Sequence, residues 1–381
     1  MQSKDWRVVN PDGKKRVIVT KELPGQRWLD ALEAGDCRVE ICTSKAVLDI
    51  DTIRAAIGKQ CDGVIGQLTE PWGEVLFAAL RAAGGTAYSN YAVGYNNVDL
   101  DAATEYRIPV GNTPGVLTET TAEMAVALTF AAARRVGEAE RYLRAGLFDG
   151  WLPTLFLGNL LWGGTLGVIG AGRIGSAYAR MMVEGHKMDV IYFDLFPNEE
   201  LETFMTAYSA FLESRGEPPV TCRRADTVEE VLEVSDCVSI HTVLDASTQH
   251  LMNAPRLALM KENAVLVNTS RGPVIDEAAL VAHCQTHPEF RAGLDVFENE
   301  PTMAPGLVEL ENVVIVPHIA SATRWTRQGM AMLAASNVAG LLSGYPAWNR
   351  PDISGFLTGK SPKAAPSILN AEELGIPLYS E

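Results

Sequence analysis

Between residues 165 and 318, seven short segments made largely of apolar and β-branched residues alternate with stretches whose apolar residues recur at helical spacing. The segments are TLGVIG (165–170), DVIYFD (189–194), VTCRRA (220–225), CVSIHT (237–242), AVLVNTS (264–270), RAGLDVF (291–297) and NVVIVPH (312–318). Apolar runs of this length, without a polar residue at every second place, fit parallel strands covered on both faces. Parallel neighbours need long crossovers, and the intervening stretches, such as RIGSAYARMMVEGH and DEAALVAHCQTH, supply helices for them. This alternation constrains the chain to a doubly wound α/β sheet.

The first 120 residues repeat the pattern on a smaller scale, with RVIVT, RVEICT, DGVIGQ and GTAYSN as strands of a second α/β domain. An Ala-rich helix over 118–135 leads into the central domain, and a helical stretch over 322–343 returns the chain to the first. The tail GKSPKAAPSILNAEELGIPLYSE is rich in Pro, Ser and Ala and is expected to wrap the surface or to be partly loose.

GVIGAGRIG holds Gly170, Gly172 and Gly175 in the spacing G-x-G-x-x-G, after a strand and at the opening of a helix. The first glycine permits the tight turn, the second lets backbone approach a pyrophosphate, and the third lets helix and strand pack closely. Asp194 stands 19 residues past Gly175, at the end of the next strand. A carboxylate there accepts hydrogen bonds from ribose hydroxyls and repels a 2′-phosphate. Leu195 and Phe196 follow it, with no arginine adjacent in sequence, so the expected cofactor is NAD(H). The expected architecture is therefore α/β with two Rossmann-like domains. The cofactor domain, 126–321, is inserted into a discontinuous substrate domain made of 1–125 and 322–381.

Arg271, Glu300 and His318 each follow the C-terminal end of a different strand. Ligands of open α/β sheets bind at that edge, so residues distant in sequence can converge there. Each has a plainer alternative: Arg271 could contact only phosphate, Glu300 could cap a turn, and His318 could be a structural strand-end residue. Together they suit the reduction of a 2-oxo acid. Arg271 offers a planar fork of donors to carboxylate and ketone, and His318 offers a proton to the ketone oxygen. Glu300, hydrogen-bonded to the other imidazole nitrogen, would favour the imidazolium and fix its orientation. Gly94 follows the strand GTAYSN, where successive backbone N–H groups can form a concavity for an anion.

GVIGAGRIG, NTSRGPVIDEAAL, GLDVFENEP and PHIAS together resemble the successive signatures of the D-isomer-specific 2-hydroxyacid dehydrogenases. The resemblance implies Arg271, Glu300 and His318 as the catalytic set. It implies Gly170, Gly172, Arg173, Ile174, Gly175, Asp194, Thr242, Thr248, Thr269 and Asp295 as cofactor contacts. It also implies Val93 and Gly94, with Arg271 and His318, as substrate-binding residues. Val243 departs from the pattern, standing where many members place Pro. CDGVIGQLTEPWGEVLFAALRAAGG, VGYNNVD, GNTPGVLTETTAE, AGLFDGWLP and the insert LETFMTAYSAFLESRGEPPVTCRRA look like the plant-type, NADH-dependent hydroxypyruvate-reducing branch. That implies reduction of hydroxypyruvate to D-glycerate, with glyoxylate as a second substrate, and a homodimer in which the segment around Trp151 reaches the second subunit. Phosphoglycerate- or D-lactate-type activity, and an NADH-sensing scaffold or corepressor, stay open as alternatives.

The formal net charge of −15 disfavours nucleic acid as a partner, and no apolar run is long enough for a membrane span. The six cysteines are scattered without a CxxC pair, so neither disulfides nor a metal site is expected. The first residues lack the pattern of a secretion signal. The final Tyr379, Ser380 and Glu381 do not match the Ser-Lys-Leu that the resemblance implies for land-plant members. Mitochondrion, other organelle or cytosol all remain compatible.

Overall fold

The structure, a computed structural model, describes residues 5–359 and 361–380. Glu381, on which the expectation about the terminal signal rests, lies outside the described residues. The chain divides into two compact units: one runs to Leu117 and resumes at Ala322, and the other spans Thr118–Ser321.

The first unit is built on six strands: β1 (Trp6–Val9), β2 (Lys15–Val19), β3 (Cys37–Cys42), β4 (Gly63–Gly66), β5 (Ala87–Asn90) and β6 (Val110–Gly111). Their order is β1-β3-β2-β4-β5-β6, and all pairs are parallel except β1 with β3. The four expected strands are there. β1 and the two-residue β6 gave no run long enough to be read from sequence. Trp72, Phe77 and Tyr88 pack as an aromatic cluster on this sheet, with centroids 4.2–5.6 Å apart. The returning helix Arg324–Leu342 is buried along most of its length.

Among the described residues beyond 359 the tail forms no helix or strand, yet it is not loose. Ala347, Ala365, Ile368 and Ala371 form a small buried cluster, and Leu369 N–H bonds the Val110 carbonyl at 2.8 Å. Small residues let this segment lie against β6, a close fit that composition alone does not reveal.

The second unit holds seven parallel strands: β7 (Thr165–Ile169), β8 (Asp189–Phe193), β9 (Cys222–Arg224), β10 (Cys237–Ile240), β11 (Val265–Asn268), β12 (Arg291–Leu294) and β13 (Val313–Ile315). The order is β13-β12-β11-β10-β7-β8-β9, with the reversal between β7 and β10. Each expected segment contains a strand, shorter than its apolar run because the C-terminal residues turn outward into loops. The Ala-rich helix Thr118–Ala133 belongs wholly to this unit. It lies close on the sheet: a Cβ at Gly293 would stand 2.9 Å from the Leu128 Cβ. Among the described residues, no helix is long and apolar enough to cross a membrane.

Candidate active site

β11, β12 and β13 are adjacent and parallel, so the loops leaving their C-terminal ends emerge side by side. Arg271 lies on the first of these loops, Glu300 on the second and His318 on the third. Gly272 shows how tightly the first two are apposed: a Cβ there would lie 1.8 Å from the Phe297 carbonyl oxygen. Only glycine lets the Arg271 loop pass against the backbone that leads to Glu300.

Glu300 and His318 meet at 2.9 Å, Oε2 to Nδ1. The Phe297 N–H donates to Glu300 Oε1 at 3.1 Å. Burial alone would raise the Glu300 pKa. The hydrogen bond and charge of His318, the Phe297 N–H and the charge of Arg271 outweigh it, and the carboxyl is held below the usual range. An ionised carboxylate only accepts, so His318 Nδ1 carries the hydrogen between them, and Nε2 is left to exchange a proton. Arg271 is half-buried; desolvation opposes its charge while Glu300 favours it, and its pKa is lowered.

His318 has a left-handed backbone, φ 52°. Its N–H donates to the Asp295 carbonyl at 2.8 Å. The Asp295 carboxylate accepts from the N–H groups of Ile319 at 2.6 Å and Ala320 at 2.9 Å. Asp295, expected at the cofactor, is fully buried and holds the turn that carries His318.

The residues of the second unit fit a dinucleotide. Gly170 has φ +92°, a Cβ at Gly175 would lie 2.1 Å from the Gly170 carbonyl oxygen, and Gly172 caps the helix Arg173–His186 with no side chain in the way. Arg173 and Ile174 open that helix, whose free N–H groups face anions favourably. Thr242 Oγ1 and Thr269 Oγ1, beyond β10 and β11, are buried without a hydrogen-bond partner, as expected of groups that need a polar ligand. Thr248 differs: its hydroxyl donates to the Val243 carbonyl at 2.7 Å and closes its own loop. Asp194 stands at the end of β8, but an arginine is beside it in space. Arg224 donates to the main-chain carbonyls of Asp194 at 2.8 Å and Leu195 at 3.0 Å. Its guanidinium braces this loop from β9, a strand 30 residues away in sequence.

Sequence reasoning also passed over a buttress behind the catalytic loops. His250 Nε2 and Glu298 Oε1 are 2.6 Å apart, and the His250 N–H bonds the Pro273 carbonyl at 2.8 Å. Glu277 Oε1 accepts from the Glu298 N–H at 2.6 Å, and Oε2 from Ala304 N–H at 2.8 Å. These bonds tie the loops of Thr248, Arg271 and Glu300 together. Only the acidic pair in FENEP hinted at it.

In the first unit, the segment after β5 turns three successive carbonyls inward. Ala92 O accepts from Thr113 N–H at 2.9 Å, Val93 O from Asn112 Nδ2 at 2.8 Å, and Gly94 O from Asn90 Nδ2 at 3.1 Å. A planar trans peptide points its N–H opposite to its C=O, so the Val93 and Gly94 N–H groups are turned away from these donors. Among the described residues, no group of three or more His, Cys, Asp or Glu side chains is placed to hold a metal ion.

His241, next to Thr242, is pushed down to about 3 by burial. Its Nε2 lies 2.9 Å from Ser239 Oγ and its ring 5.2 Å from that of Tyr178. The unfolded chain therefore binds a proton that the folded chain refuses. Stability from this group is complete above its unfolded pKa of about 6.5 and falls as pH drops, by roughly 1.4 kcal/mol per pH unit. The thermal midpoint should decline between about pH 6.5 and 4.5, and His241→Gln should flatten that decline. An unchanged slope in the variant would rule out the buried neutral imidazole.

Comparison with known proteins agrees with this geometry. The family model for "D-isomer specific 2-hydroxyacid dehydrogenase, NAD binding domain" matches residues 126–320. The chain is 61% identical over 372 residues to the glycerate dehydrogenase of Cucumis sativus, covering 97% of both chains. It is 40% identical over 327 residues to a glyoxylate reductase of Korarchaeum cryptofilum, covering 85% of this chain and 92% of that one. A solved protein of Thermus thermophilus superposes with a TM-score of 0.77 at 35% identity, over 93% of this chain and 99% of that one. The chain belongs to the D-isomer specific 2-hydroxyacid dehydrogenase family and is an NAD(H)-dependent oxidoreductase.

Proposed function

We propose that the chain reduces hydroxypyruvate to D-glycerate with NADH, and glyoxylate to glycolate as a second reaction, with Arg271, Glu300 and His318 as the catalytic residues. The observation that carries this reading is the Glu300–His318 hydrogen bond on the strand end beside Arg271. The likeness to a glycerate dehydrogenase over 97% of both chains supports the choice of substrate.

When bound, NADH supplies the hydride for the substrate's C2 carbon. Gly170, Gly172, Arg173, Ile174 and Gly175 face the pyrophosphate, Asp194 the adenosine ribose, and Thr242 and Thr269 offer their unpartnered hydroxyls. Thr248 and Asp295 complete the cofactor set, on loops steadied by the backbone bonds they make. The Val93 and Gly94 N–H groups take the substrate carboxylate. Arg271 donates to the carboxylate and the C2 ketone oxygen, drawing electrons from the carbon that reacts. His318 Nε2 gives its proton to that oxygen as the alcohol forms, while Glu300 remains anionic and holds Nδ1–H. In the oxidation direction, neutral His318 takes the proton back.

The reading requires one NADH consumed per D-glycerate formed, resolved from the L-isomer by chiral chromatography. Formation of L-glycerate, or no product, would overturn it.

The protein is a homodimer in this account. Leu143, Leu157, Trp151 and Leu160 leave 61, 62, 82 and 82% of their surface exposed within one short stretch, and a second copy covering it removes that apolar area from water. Sedimentation should give twice the chain's mass, and Trp151→Ser with Leu160→Arg should give a monomer. A monomeric wild type would refute the dimer.

A further inference from the structure

The C-terminal segment reaches the substrate loop. Ser367 Oγ donates to Asn112 Oδ1 at 2.6 Å, and Asn112 Nδ2 donates to the Val93 carbonyl at 2.8 Å. Asn112 is 4% exposed, and its side-chain amide has one partner at each end. Because the peptide unit is planar and trans, fixing the Val93 carbonyl fixes the direction of the Gly94 N–H.

The segment is itself held on both sides of Ser367. Ser367 N–H donates to Asn337 Oδ1 at 2.9 Å, and Asn337 Nδ2 donates to the Asn112 carbonyl at 2.9 Å. Ile368 bridges Gly111 antiparallel, Asn349 pairs both backbone groups of Ile368 at 2.8–2.9 Å, and Asn370 Oδ1 accepts from the Val110 N–H at 2.9 Å. Ser367 thus occupies a defined place beside β6. Its hydroxyl gives Asn112 Oδ1 a donor, while the Val93 carbonyl, which can only accept, sets Nδ2 on the other side. Without it, Asn112 Oδ1 loses its donor, and the amide that holds the Val93 carbonyl loses its outer anchor.

We infer that Ser367 is a positioning residue for substrate binding, acting through Asn112 to aim the Gly94 N–H at the carboxylate of the 2-oxo acid. The inference rests on the proposed role of Val93 and Gly94. It gives the C-terminal segment a part in catalysis although no side chain of that segment need touch substrate.

The test is Ser367→Ala, with Ser367→Thr as the conservative variant and Asn112→Ala as the inner one. A neutral hydrogen bond of about 1 kcal/mol corresponds to a change of roughly fivefold. Ser367→Ala should raise KM for hydroxypyruvate and Ki for the dead-end dicarboxylate oxalate by about that factor. KM for NADH should stay unchanged, the thermal midpoint should fall by no more than a few degrees, and Ser367→Thr should restore the parent values. A parallel loss in every parameter, with a large drop in the midpoint, would make Ser367 merely structural and overturn the inference. If Ser367→Ala has no effect while Asn112→Ala raises KM for the acid, the tail link fails and the carboxylate site stands. If a folded Asn112→Ala also leaves KM and Ki unchanged, the carboxylate site itself fails. Should Asn112→Ala not fold, the Ser367 pair still decides the inference.

Discussion

His318→Asn is expected to lower kcat for hydroxypyruvate by about a thousandfold, within the range that a general acid contributes, while the Kd for NADH stays the same. Asparagine suits the test because it tolerates the left-handed backbone that His318 adopts at φ 52°. Its amide can also still donate to Glu300. What it lacks is a proton that can leave. The groups assigned to the cofactor lie on other loops, so NADH fluorescence on binding should not change. A loss of less than about tenfold would mean that the ketone oxygen takes its proton from elsewhere. A loss of NADH binding would mean that His318 supports the cofactor site.

The second large effect is Arg271→Lys, for which kcat/KM with hydroxypyruvate should fall by about two to three orders of magnitude. Lysine keeps the charge but loses the planar fork, so it cannot address carboxylate and ketone together. Each hydrogen bond to a charged group is worth about 1.5–3 kcal/mol, and about 1.4 kcal/mol is a factor of ten. Burial also favours a neutral lysine, which would remove the charge that steadies the developing alkoxide. Steady-state kinetics at saturating NADH measures the change. A variant within about tenfold of wild type would show that a single point charge suffices and that the bidentate role is wrong.

How much of this was legible in the sequence follows from which interactions are local. Six of the seven segments of the second unit were legible because a strand covered by its sheet neighbours and helices must be nearly all apolar. β9, an edge strand with two exposed arginines, does not follow that rule. Arg271, Glu300 and His318 could be found because strand ends in a parallel sheet share one edge. The Glu300–His318 bond itself was only an expectation until the two loops were placed. Pairings between distant segments left no local mark. Arg224 stands beside the Asp194 loop because β8 and β9 pair in space, whereas the sequence shows only Leu195 and Phe196 there. The buttress of His250, Glu298 and Glu277 spans three loops. The tail reads as loose because its anchors are single Asn and Ser side chains without periodicity, yet Asn370 and Ser367 fix it to β6 and Asn112. Motif matching assigns Thr248 and Asp295 to the cofactor but does not reveal that their oxygens also bond backbone groups of their own or neighbouring loops. A motif gives a residue's place, not the direction in which it bonds.

The most direct measurement is the rate of NADH consumption, followed by absorbance, with hydroxypyruvate, glyoxylate, pyruvate and phosphohydroxypyruvate offered separately, then with NADPH in place of NADH. The highest kcat/KM is expected with hydroxypyruvate and NADH, a lower value with glyoxylate, and weak use of NADPH because Asp194 opposes a 2′-phosphate. Preference for pyruvate or phosphohydroxypyruvate, or no turnover with any of the four despite NADH binding, would contradict the proposed function.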